Sequence, residues 1–279
     1  KYRTDKLVFS GFGDIRSLNG YKRHYGGDLV STLKGREVAV NDMPENWGWF
    51  WGYYSAEGSR NVDKISFAMH SQEIEQRNKI ISIITNDLSK KARYQENKND
   101  NGGQVLFNDR KFSRYIKSEI KTHINKTITP EIFSAPIKTK LAFLEGYIAG
   151  DGYCNDYGGI SVSSVSKKLA YSVWQLFRDC GLNPMMNYHK RNGKNCFFQQ
   201  KDGKKYLANP CWRIQLNPKE SIKFVELTDI QRYKKTKLKY WKSLKSNNTE
   251  IKNDKDYYLH PIKNIDKNYK RQTVYNFEV

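Results

Sequence analysis

Apolar positions along this chain change period in an order that occurs twice. After Glu57 the run Ile65-Ser66-Phe67-Ala68-Met69 alternates apolar and polar, as a half-buried strand does. After Asp151 the run Gly159-Ile160-Ser161-Val162-Ser163 does the same. Each is followed by apolar residues at helical spacing: Ile74, Ile80, Ile81 and Ile84 in one case, Leu169, Val173, Leu176 and Phe177 in the other. Ser71 and Ser166 precede these runs at nearly matching distances from the acids, and each is the expected N-cap. Asp87 and Gly181 stand at equal offsets from the two acids, near the expected helix ends, and Gly181 suits a C′ position. Two strands should follow in each half: Ala92–Gln95 and Val105–Phe107, then Met185–His189 and Trp212–Leu216. Helical stretches, Phe112–Ile120 and Ser221–Leu227, close the halves.

The repeat opens on two related segments. Gly48-Trp49-Phe50-Trp51-Gly52-Tyr53-Tyr54-Ser55-Ala56-Glu57-Gly58 matches Ala142-Phe143-Leu144-Glu145-Gly146-Tyr147-Ile148-Ala149-Gly150-Asp151-Gly152. Small residues recur every fourth place (Gly48, Gly52, Ala56; Ala142, Gly146, Gly150), which puts them on one helix face. Such a face lets two backbones approach closely. Both segments end in a carboxylate followed by glycine, so two packed helices would deliver two acids at the same end. Two adjacent acids point to a divalent-metal site.

Composition narrows the partner. The 279 residues include 49 Lys and Arg against 29 Asp and Glu, a net charge of +20, spread along the chain rather than held in a tail. A folded surface of that sign favours polyanions, nucleic acid first. No apolar run reaches the roughly 20 residues that span a bilayer. The four cysteines (Cys154, Cys180, Cys196, Cys211) form no Cys-x-x-Cys pair, so neither structural zinc nor a disulfide framework is expected, and an intracellular setting (cytoplasmic, nucleoid or organellar) is. The five histidines show no metal-ligand spacing.

The paired motifs resemble those of the LAGLIDADG homing endonucleases in their single-chain, two-motif form. Phe143–Tyr153 is the closer match; the first motif has an aromatic body and Glu57 where Asp is commoner. The resemblance covers residues 44–240. Asn125–Phe133 is similar to the Lys-x-Ile-Pro stretch of intein endonucleases, with proline one place later. Thr273–Val279 looks like the strand leading into an intein's C-terminal splice site, although no His-Asn follows and no Cys or Ser stands at Lys1. Trimmed ends and a free-standing relative that lost splicing both remain open.

The resemblance implies an α+β fold: two pseudo-symmetric αββαββα halves packed through their motif helices, with antiparallel sheets forming a DNA-binding saddle. It implies a monomer that cuts both strands of a long DNA site using Mg²⁺, with Mn²⁺ as a substitute. The alternative is a DNA- or RNA-binding maturase or regulator that does not cut. The expected domains are 1–43 (an extension, or a remnant of a splicing domain), 44–135, 136–242, and 243–279 (a linker and a strand segment). Hydrolysis of a phosphodiester needs an activated water and charge neutralisation, both of which Mg²⁺ supplies through oxygen ligands. Glu57 and Asp151 are the expected ligands, supported by the carbonyls of Ala56 and Gly150, because helix C-terminal carbonyls lack intrahelical partners. By resemblance, Lys126 is the cation serving the first half, and Lys234 or Lys235 the second. Base readers expected on the sheets are Arg93 and Gln95, then Asn187, His189, Arg191, Arg213 and Gln215.

Overall fold

The computed structural model describes residues 43–97, 101–155, 158–190 and 209–230, together with the backbone of strands at 32–33, 36–37, 197–199, 205–207, 253–254 and 257–258. The chain divides into two compact units, 1–244 and 245–279. In the first, β1 (Thr32–Leu33) pairs antiparallel with β2 (Arg36–Glu37).

The repeat follows. Its first half runs α1 (Glu45–Glu57), β3 (Gly58–Arg60), β4 (Lys64–His70), α2 (Ile74–Asn86), β5 (Arg93–Glu96), β6 (Gly102–Asn108) and α3 (Arg110–Glu119). A 3-10 turn (His123–Asn125) and α4 (Pro130–Ser134) connect the halves. The second half runs α5 (Ile137–Asp151), β7 (Tyr153–Cys154), β8 (Ile160–Ser164), α6 (Lys167–Asp179), β9 (Met185–His189), β12 (Cys211–Leu216) and α7 (Pro218–Leu227). A hairpin of β10 (Phe197–Gln199) and β11 (Lys205–Leu207) is inserted between β9 and β12. The sheet orders are β3-β4-β6-β5 and β7-β8-β12-β9, antiparallel throughout. The expected α+β repeat of αββαββα halves is therefore the observed fold. In the second unit, Asn253–Asp254 (β13) pairs with Tyr257–Tyr258 (β14).

Register explains the alternation. Directly opposed residues of antiparallel strands share a face. Ile65↔Phe107 and Phe67↔Val105 are buried, and Ser66↔Leu106 and Ala68↔Gln104 lie on the other face. In the second sheet Ile214↔Val162 and Leu216↔Ile160 are buried, while Gln215↔Ser161 and Arg213↔Ser163 face away.

Between the sheets' buried faces lie α1 and α5, apolar over most of their surface, as largely enclosed helices must be; α5 also buries Glu145, which accepts from Asp229 N at 2.8 Å. Trp47, Trp49, Phe50, Trp51, Tyr53 and Tyr54 are all buried. Trp49 stacks on Tyr53 at 5.1 Å, and Phe50 meets Phe67 edge-on at 5.1 Å. The expected small-residue face is where the two helices meet. A Cβ at Gly52 would collide with the Phe143 carbonyl oxygen, and one at Gly146 with that of Trp49. The backbones therefore touch directly, and each glycine meets a carbonyl of the other helix.

Local chemistry sets the helix starts. Ser166 Oγ accepts from Leu169 N at 3.3 Å, as its position predicts. Asp109 caps α3, accepting from Lys111 N and Phe112 N, and Asn217 caps α7 ahead of Pro218. Gly181 takes φ +75° just past α6, as expected. Ser71 is not an N-cap. It sits in a turn, its N–H donating to Asn101 O, and α2 starts after Glu73, whose carboxylate accepts from His70 N at 2.7 Å. Among the described residues no helix is long and apolar enough to cross a membrane.

The glycine contact is testable. Gly52→Ala or Gly146→Ala must push the helices apart, and should cost about 3 kcal/mol, read as a lower urea midpoint. An unchanged midpoint would contradict direct backbone contact.

Candidate active site

Glu57 and Asp151 are the last residues of α1 and α5. Because the helices touch through their glycines, their C-terminal ends coincide. A Cβ at Gly150 would lie 2.6 Å from Ala56 Cβ, 3.0 Å from Glu57 Cγ and 3.8 Å from Glu57 Oε1. Each helix thus stops against the other's carboxylate-bearing turn, with Ala56 and Gly150 between the acids. Asp151 is exposed and Glu57 half-buried.

Neighbouring groups register both charges. Burial raises the pKa of the Tyr53 hydroxyl, and Glu73, Glu57 and Asp151 raise it further. Burial likewise raises Tyr147, with Asp151 adding to the effect. Tyr54 is raised by burial, opposed by the guanidinium of Arg60.

Lys126 reaches this point from the connection between the halves. Its Nζ donates to Tyr54 O at 3.2 Å and Gly58 O at 3.3 Å, and lies 5.5 Å from the Tyr54 ring centroid. Its own carbonyl accepts from Ser166 Oγ at 2.6 Å, tying it to the α6 cap in the other half. Burial lowers its pKa to about 8, although Asp151 and then Glu57 pull it upward. Lys126 therefore lies in the field of both acids, with Asp151 acting on it more strongly. A cleft of about 370 Å³ opens here, lined by Tyr54, Arg60, Lys121, His123, Lys126 and Asp151 among others.

Metal fit follows from the donor set. Among the described residues no group of three or more His, Cys, Asp or Glu side chains could hold a metal ion. Two carboxylates with nearby helix-end carbonyls suit a hard cation that keeps several waters and takes its other oxygens from a phosphate, as Mg²⁺ does. They do not suit a metal needing a closed protein cage.

The expected base readers fall on the sheet faces turned away from α1 and α5, although Leu106 and Cys211 on those faces are themselves buried. Arg93 opposes Leu106 and Gln95 opposes Gln104, both away from the helices. Asn187 opposes Arg213, Met185 opposes Gln215 and His189 opposes Cys211, again on the open face. His189 is only half-exposed, with Nε2 enclosed. Arg191, Lys234 and Lys235 lie outside the described residues. The sequence reading missed Arg60, Lys121 and His123 in the cleft, and Lys64, Gln104 and the exposed Tyr153 on the open faces. For the last three the strand alternation was a usable signal. For the cleft residues nothing local in the sequence marks them.

Residues 138–225 match the family model of the LAGLIDADG-like domain. The match covers most of the second half, whose element order the first half repeats. No curated protein matches the chain. Among solved structures, mesophilic variants of the homing endonuclease I-DmoI align at 12% identity over 67% of this chain and 95% of that chain, with a TM-score of 0.47. I-DmoI in complex with DNA and Mn aligns at 12% identity over 67% of this chain and 96% of that one, at 0.46. Full-length DUF199/WhiA from Thermatoga maritima aligns at 12% over 70% of this chain and 62% of that one, at 0.45.

Lys126 supplies a pH test. Its folded-state pKa of about 8 lies below the ordinary lysine value of 10.5, so the folded protein binds fewer protons than the unfolded chain between these values. Stability must then rise with pH across that window. In metal-free, DNA-free protein, the wild type should gain stability relative to Lys126→Met as pH climbs from about 8 to 10.5. A pH-independent difference between the two would mean that Lys126 is not enclosed as described.

Proposed function

We propose that this protein is a monomeric, site-specific double-strand DNA endonuclease of the homing type, with halves at 44–135 and 136–242. The observation that carries the reading is the convergence of Glu57 and Asp151 at touching helix ends, with Lys126 in the field of both. The net charge of +20 supports a polyanionic substrate. The polar open faces of the two antiparallel sheets support a saddle that reads bases in the major groove through Arg93, Gln95, Asn187, His189, Arg213 and Gln215.

In this reading Glu57 and Asp151, with the carbonyls of Ala56 and Gly150, would hold the divalent metal. When bound, Mg²⁺ or Mn²⁺ lowers the pKa of a coordinated water and offsets charge on the phosphate. The chain's own residues do the rest. The touching helix ends bring the two carboxylates together, which supports one site that serves both strands. Lys126, whose Nζ donates to the Tyr54 and Gly58 carbonyls and whose own carbonyl is held by Ser166, supplies the ammonium for the first half. Lys234 or Lys235 is assigned the matching role for the other strand.

The test is a supercoiled plasmid carrying the uninterrupted host locus, incubated with Mg²⁺ or with EDTA. Linear product with Mg²⁺ alone is expected. Glu57→Gln and Asp151→Asn should each lower double-strand cutting about a hundredfold or more while leaving gel retardation nearly intact. Specific retardation without any cutting would replace this reading with that of a DNA-binding regulator or maturase. Full cutting by both variants would remove the metal assignment.

A further inference from the structure

The cleft beside Asp151 is bordered by a short excursion of chain whose backbone is unusual. Thr127 N donates to Ile120 O at 2.9 Å, closing residues 121–126 into a tight loop. Inside it Asn125 N donates to Thr122 O at 3.1 Å and Lys126 N to His123 O at 3.0 Å. Two of its residues are left-handed without being glycine: Lys121 at φ +64° and His123 at φ +51°. Left-handed backbone is unfavourable for residues that carry a Cβ, and it persists where the surrounding structure enforces it.

The same molecule provides a contrast. Lys121 follows α3, with its N–H donating to Ile116 O, a helix end that glycine usually completes. Gly181 completes α6 in the same left-handed region, at φ +75°, and a Cβ there would meet nothing within 4 Å. Ser89, exposed beyond α2, is also left-handed at φ +52°, so the backbone angle alone does not mark a functional side chain. Lysine stands at the end of α3, where the side chain lines the cleft.

Charge shows what the cleft accepts. Arg60, Lys121 and Lys126 line it against one carboxylate, Asp151. Arg60 is held in place by Nη1 contacts of 3.3 Å to Asn61 O and to Ser113 Oγ. Lys121 and His123 are exposed on the rim. A concave, cation-rich cleft with a pre-set rim suits a tetrahedral oxyanion carried on a chain.

We propose that Lys121 and His123 form a phosphate clamp for the DNA backbone, flanking the phosphate at Asp151 and Lys126, and that the left-handed loop holds the clamp ready before DNA arrives. The clamp rests on the DNA-binding part of the proposed function and needs no cleavage.

The experiment therefore reads binding in EDTA, using a fluorescent duplex of random sequence titrated across salt concentrations. Lys121→Gly removes the ammonium and relieves the backbone; Lys121→Met removes the ammonium and keeps the strained backbone. Both should lower the slope of log affinity against log salt by about one. Lys121→Gly and His123→Gly should raise the melting temperature by about 2–4 °C, and Lys121→Met should not. Wild-type slopes in both Lys121 variants would overturn the clamp, and a lowered melting temperature in both glycine variants would overturn the pre-set loop. A protein that binds with these slopes yet never cuts leaves the clamp standing and removes only the endonuclease reading.

Discussion

Backbone contact between α1 and α5 is the constraint on which the rest depends. With Gly52 against the Phe143 carbonyl and Gly146 against that of Trp49, the two helices meet backbone to backbone at these glycines. That closeness brings Glu57 and Asp151 to one point rather than to two separate surfaces. It also explains the aromatic body of α1. A helix that gives one face to glycine must obtain its apolar burial from the remaining faces, and Trp47, Phe50, Trp51 and Tyr54 fill the space beneath the first sheet.

The same contact creates an electrostatic conflict that the connection between the halves relieves. Two carboxylates meeting at helix C-termini face the unfavourable end of both macrodipoles. Lys126 answers this from a partly enclosed position, donating to the helix-end carbonyl of Tyr54, which also accepts the Gly58 N–H, and to Gly58 O. Enclosure lowers its pKa while the acids raise it, so its charge is sensitive to what enters the cleft. Binding of a cation at the acids or a phosphate above them would alter that balance in opposite directions.

Much of this was legible because the chain repeats itself. The alternation Ile65-Phe67-Met69 and Ile160-Val162 identified the buried faces, and by difference the open faces that carry Arg93, Gln95, Asn187, Arg213 and Gln215. The small residues at every fourth position identified the helix contact. What stayed hidden depends on tertiary context. The placing of Lys126 close to Asp151 requires the chain to cross between halves, which no local pattern records. Ser71 looked like a cap, but the Glu73 carboxylate captured His70 N and moved the start of α2. The β10–β11 hairpin is an insertion in one half only, so the repeat gave no warning of it. Lys121 and His123 adopt left-handed backbone without glycine, a conformation that leaves no mark in sequence.

The proposed site unites the two motif carboxylates around a divalent metal on DNA. Anomalous scattering from Mn²⁺ in a crystal of the protein bound to a cleavable duplex tests it most directly. Metal density is expected within about 2 Å of carboxylate oxygens of both Glu57 and Asp151, shared with phosphate oxygens of the DNA. Ordered DNA on the sheets with metal bound elsewhere, or with none at these two acids, would contradict it.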